Sequence, residues 1–82
     1  MIAYSNDSLL NPTRIIRLPE VRVMTGLSRS GIYARINQNS PGFDPAFPQP
    51  VNLGVRSVGW VASEVEDWIN AQIANSRRAP RG

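Results

Sequence analysis

The sequence predicts a mainly α domain, three short helices with a small two-stranded β-hairpin, arranged around a helix-turn-helix. Three observations predict it. The stretch Leu18–Ile36, LPEVRVMTGLSRSGIYARI, reads as two short helices joined by a tight glycine turn. Val51–Leu53 and Val58–Val61 are apolar or β-branched runs on either side of a four-residue loop, and Ser63 opens an amphipathic stripe carried by Val65, Trp68, Ile69 and Ile73. With 82 residues there is room for one small domain with one modest core, and none for a second catalytic domain.

Residues 1–13 carry Ser5, Asn6, Asp7, Ser8, Asn11 and Pro12 with little periodicity, and read as a leader of low order ahead of a domain spanning 14–75. Pro19 suits a first helical turn, where its missing amide leaves no bond unmade, and Glu20 suits the positive end of the helix dipole. Val21 and Met24 share one face of this first helix. Gly26 ends it by supplying the left-handed conformation needed past a helix C-terminus, and Leu27 turns inward to pin the two helices together. Ser28 is a natural N-cap for the second helix. At about 100° per residue, Ile32 and Ile36 face the core, Ser30, Ala34 and Asn37 face away from it, and Arg29 and Tyr33 lie on a flank between. Such a small, polar outward face can enter a DNA groove about 12 Å wide. A plain surface helix is the competing reading, and Gly31 weakens that helix by about 1 kcal/mol relative to Ala.

Four of the seven prolines, Pro41, Pro45, Pro48 and Pro50, fall between Asn37 and Pro50. That density excludes a helix or a central strand and predicts a stiff connector, anchored to the core by Phe47 and in part by Phe43. The hairpin that follows carries Arg56 at its tip with Ser57 beside it. Because two strands are not stable alone, an inner face including Val58 or Trp60 must pack on the helices and leave the tip projecting. Arg56 then either reaches phosphates or a minor groove, or is a solvated loop residue. Ser63 with Glu66 three residues on forms a capping box for the last helix, whose acidic first turn suits its dipole and makes a poor DNA face. Its role is to close the core. After Ser76 comes a basic tail, 76–82, that either adds phosphate contacts or aids solubility.

All nine basic residues are Arg, which reflects either a GC-rich genome or the bidentate hydrogen bonding of guanidinium to phosphate and guanine. Residues 14–61 carry a balance of +4, whereas 62–75 carry Glu64, Glu66 and Asp67 for −3. This asymmetry fits one face meeting a polyanion, although ordinary surface charge explains it as well. The chain has neither Cys nor His, which excludes thiol or imidazole nucleophiles, a structural zinc and a disulfide framework. Six scattered carboxylates offer no recognisable active site, so the sequence predicts no enzyme, no catalytic residue, no metal site and no cofactor. Its longest apolar runs are a few residues, far short of the roughly 20 a bilayer span needs, so a soluble bacterial cytoplasmic protein is expected.

Five stretches together resemble the AlpA family of prophage regulators: R-L-P-E-V at Arg17–Val21, T-G-L-S-R-S at Thr25–Ser30, I-Y at Ile32 and Tyr33, F-P-x-P-V at Phe47–Val51 and G-W-V-x-S-E-V at Gly59–Val65. The resemblance runs in order from about Arg14 to Ile73. It implies a MerR-like, excisionase-like winged helix-turn-helix acting on double-stranded DNA at prophage or mobile-element loci, through integrase expression or excision. It also implies recognition by the helix bearing Arg29, Ser30 and Tyr33 and wing contacts from Arg56. The connector Gln38–Ala46 is longer than the short turn common in the family, and Gly31 replaces a usually larger residue.

The candidate recognition set is therefore Ser28, Arg29, Ser30, Tyr33, Ala34 and Asn37. Arg56 and Ser57 form the wing set, and Arg17, Arg22 and Arg35 are candidate phosphate contacts. Only a short tail follows the third helix, so no small-molecule effector is expected. Neither is a membrane partner, and useful specificity calls for self-association or cooperative binding on repeated sites. A different class of function, a protein-interaction adaptor such as an anti-repressor or assembly subunit, would use the same fold without touching DNA.

Overall fold

The computed structural model describes residues 13–78. Most of the expected leader and the end of the basic tail, including Arg81, lie outside the described residues. Within them the order is β1 (Ile15–Ile16), α1 (Leu18–Thr25), α2 (Arg29–Ile36), β2 (Val51–Asn52), β3 (Val58–Val61) and α3 (Ala62–Arg78).

β1 was not foreseen, because two residues are too few to show an alternating pattern. It pairs antiparallel with β3, Ile15 opposite Val61 and Ile16 opposite Trp60, while β2 pairs on the other side with Val51 opposite Gly59. The expected hairpin is thus two strands of a three-stranded sheet with β3 in the centre. Facing pairs point the same way, so Ile16 and Trp60 share the buried face. The other face carries Ile15, Val51 and Leu53 around Gly59. A Cβ on Gly59 would overlap Ile15 Cγ2 and come within 3.2 Å of Leu53 Cδ1, so only glycine lets these strands be roofed by their own side chains.

Around Trp60 the core gathers Ile16, Val21, Ile32, Phe47, Ala62 and Val65, with Leu18, Met24, Leu27, Ile36, Trp68 and Ile69 packed against it. Val58, the other candidate for the inner face, is 37% exposed. α1 starts after Arg17, whose carbonyl accepts from the amides of Glu20 and Val21, and ends at Gly26 with φ +76°. Thr25 stitches the turn: its hydroxyl donates to the Val21 carbonyl and accepts from the Leu27 amide.

α3 starts at Ala62, ahead of the expected Ser63 cap. The capping box at Ser63 gives way because the chain passes directly from β3 into the helix, and the Ala62 amide donates to the Arg14 carbonyl at 2.7 Å. The residue just ahead of β1 therefore takes up that amide. At its far end α3 continues through Arg78, so Arg77 and Arg78 form a last helical turn where a tail was expected. Residues 70–78 are all exposed, and Ile73, expected in the core stripe, is 40% exposed because the body of the domain ends before it. Among the described residues no helix is long and apolar enough to cross a membrane.

Candidate nucleic-acid interface

The amides at the start of α2 are the raw material of the candidate interface, since a helix N-terminus presents donors and partial positive charge. Ser28 caps it: its Oγ accepts from the Gly31 amide at 3.0 Å and lies 3.3 Å from Ser30 Oγ. A Cβ at position 31 would sit 3.2 Å from Ser28 Oγ, so the glycine leaves this hydroxyl pair undisturbed. Arg29 and Ser30 are exposed. The Arg29 guanidinium stands 5.5 Å from the centre of the half-exposed Tyr33 ring, a cation–π contact that holds it along the helix flank. Ser28, Arg29, Ser30 and Tyr33 thus form one continuous exposed group.

Ala34, Asn37 and Arg35 do not join it in the same way. Ala34 is half-buried beneath the connector, where a Cβ on Gly42 would lie 3.5 Å from its own. Asn37 is exposed, but its Oδ1 is engaged by the Asn39 amide. Arg35 turns inward: its Nη1 donates to the Gly31 carbonyl and its guanidinium lies 5.9 Å from the centre of the Trp68 ring. Its own carbonyl accepts from the Asp44 amide, and Asp44 in turn accepts from Trp68 Nε1 at 3.0 Å. The connector that hid Ala34 thereby also fixes the end of α2 to α3.

Arg17, at the N-cap of α1, and Arg22 on it are exposed, with Arg22 beside the Gly26–Leu27 turn. Arg56 is exposed in the β2–β3 loop, Ser57 is half-buried, and the loop is closed by the Leu53 amide donating to the Ser57 carbonyl at 2.7 Å. Among the described residues one ion pair forms, Arg14 with Glu20 at 3.2 Å, so the charges of Arg17, Arg22, Arg29 and Arg56 are not paired with carboxylates. Sequence reasoning missed Val55, which is fully exposed next to Arg56. The signal was there, because Val55 sits inside a loop, outside the alternation of either strand, with no inward slot to occupy. Among the described residues no group of three or more acidic side chains gathers as a metal site, and the chain has no His or Cys to add.

Two short helices joined through a left-handed glycine, propped by a third helix and a small antiparallel sheet, make up the scaffold of a helix-turn-helix protein. The chain belongs to the AlpA family: the family described as "Prophage CP4-57 regulatory protein (AlpA)" matches residues 14–73. The chain is 46% identical over 57 residues to the "DNA-binding transcriptional activator AlpA" of Escherichia coli (strain K12), covering 70% of this chain and 81% of that protein. It is 42% identical over 65 residues to the "Uncharacterized protein ORF88" of Enterobacteria phage P4, covering 79% of this chain and 67% of the other. No solved structure matches at a significant level.

Proposed function

We propose that this chain is a sequence-specific double-stranded DNA-binding regulator of a prophage or mobile element, controlling integrase expression, excision or both. The observation that carries the reading is the exposed first turn of α2, where a capped N-terminus, two hydroxyls and an unpaired guanidinium stand together. Residues at the N-terminal end of a recognition helix are the ones that reach base edges in the major groove. A relative named as a DNA-binding transcriptional activator supports the same reading. Ser28, Arg29, Ser30 and Tyr33 read or approach bases in this arrangement. The β2–β3 loop acts as a MerR-like wing, with Arg56 on the backbone or minor groove beside Ser57, and Arg17 and Arg22 take phosphates. Ala34, Asn37 and Arg35 contribute from the margin, since each is covered or already engaged by the chain itself.

The test is titration with duplex from the region flanking its own gene and any adjacent integrase gene, over a range of salt. Neutralising roughly four to six phosphates gives a log–log salt slope of about −4 to −5. Arg56→Ala lowers its magnitude by about 0.9 per lost phosphate contact, and Arg29→Ala weakens specific sites more than random duplex. Salt-indifferent association, or none at low ionic strength, overturns the proposal in favour of an adaptor role. Protection over a promoter assigns transcriptional control, and repeated protected sites at an attachment region assign excision.

A further inference from the structure

A groove of about 620 Å³ runs between the connector and α3, walled by Phe47 and Pro48 on one side and by Glu64, Asp67, Trp68 and Ala71 of the helix on the other. Its floor is apolar and its rim acidic. Positions 64, 67, 68 and 71 recur at helical spacing, and the same stripe continues through Ala74, Asn75 and Arg78 along the part of α3 that extends past the domain body. Arg78 Nη2 donates to Asn75 Oδ1 at 2.9 Å, so these two residues of the last turns share a side, and the spacing of the helix carries that side back to Glu64. One stripe therefore begins acidic, passes through an aromatic and two alanines, and ends basic.

We infer that α3 is a self-complementary docking surface on which a second copy of this chain lies antiparallel, related by a two-fold axis through Ala71. In that register Glu64 faces Arg78 of the second copy, Asp67 faces its Asn75, Trp68 covers its Ala74, and Ala71 meets Ala71. Each position is matched at the same time, as an isologous interface requires. The alanines at the crossing let the helix axes approach to about 8 Å. The same chain cannot satisfy its own groove, because Arg78 lies roughly 16 Å beyond Asp67 along a rigid helix. The exposed end of α3 supplies a second reason: two to three turns of helix with no tertiary partner among the described residues are marginal in water, and a neighbouring helix would stabilise them.

This inference does not rest on the DNA-binding reading, since association is measured without duplex. Sedimentation of the full chain up to about 1 mM should give twice the monomer mass. Glu64→Arg and Arg78→Glu should each weaken association about tenfold, and the double variant should restore it, with helix content by circular dichroism confirming that every variant folds. Because the chain has no Cys, Ala71→Cys introduces a single thiol at an exposed position. Mild oxidation should convert it to a covalent dimer, whereas Val55→Cys, on the distant loop, should not cross-link. A chain that remains monomeric throughout the range overturns the inference. So does an association indifferent to both charge reversals, or one that grows beyond two copies.

Discussion

The two loops that border the sheet are built on opposite plans. The connector 37–50 is long and fastened at many points: turns close at Ser40, Phe43 and Phe47, Asp44 ties α2 to Trp68 of α3, Gln49 donates to the Ile36 carbonyl, and Phe47 is buried edge-on against Trp68 with ring centres 4.9 Å apart. The loop 53–57 is short and held by one backbone bond and an Asn52 turn, with Val55 and Arg56 left in solvent. Length alone would suggest the reverse assignment of order. What decides is where side chains go, since an anchored loop serves to hold helices in register while a free one is available to a partner.

Phe47→Ala should break the connector and cost about 3–5 kcal/mol by thermal or urea unfolding, because it empties a fully buried aromatic site beneath both helices. Gly59→Ala, at the base of the other loop, should cost about 2–3 kcal/mol through overpacking against Ile15 and the Ile16 carbonyl, showing that the sheet under the free loop is itself rigid. Asp44→Ala should cost about 1–2 kcal/mol and red-shift tryptophan emission as Trp68 loses its acceptor; an unchanged stability would mean the Asp44–Trp68 bond does not hold α2 to α3. Gly26→Ala should cost about 1 kcal/mol, the strain of a positive φ with no crowding to add to it. Val55→Ser and Arg56→Ala should leave the midpoint within about 0.5 kcal/mol, and any larger loss would put this loop in the same class as the connector.

Much of this architecture was legible because it is local. Gly26, Ser28 and the Ile32/Ile36 spacing announce a helix, turn and helix from consecutive residues, and the structure has each of them. Phe47 was recognisable, with Phe43, as one of two large apolar side chains in a proline-rich stretch, and it is the one that is buried. The missing pieces are pairings between residues far apart in sequence. β1 exists only because β3 is beside it, the cap of α3 comes from Arg14 rather than from Ser63, and Ile73 lost its place in the core because helical periodicity does not say where the body of the domain ends. In the candidate site the helix face was likewise readable, but not the connector lying over Ala34, nor the stacking that draws Arg35 toward Trp68.

The pairing of Ile15 with Val61 has a consequence for biosynthesis. During translation the first strand emerges early and must wait, uncovered, until nearly the whole domain has left the ribosome, because its mate is among the last strand residues made. Helices α1 and α2 can form on the way out, but the clasp that seats Trp60 closes late, so a nascent chain stalled before Gly59 carries α2 without a finished body to brace it.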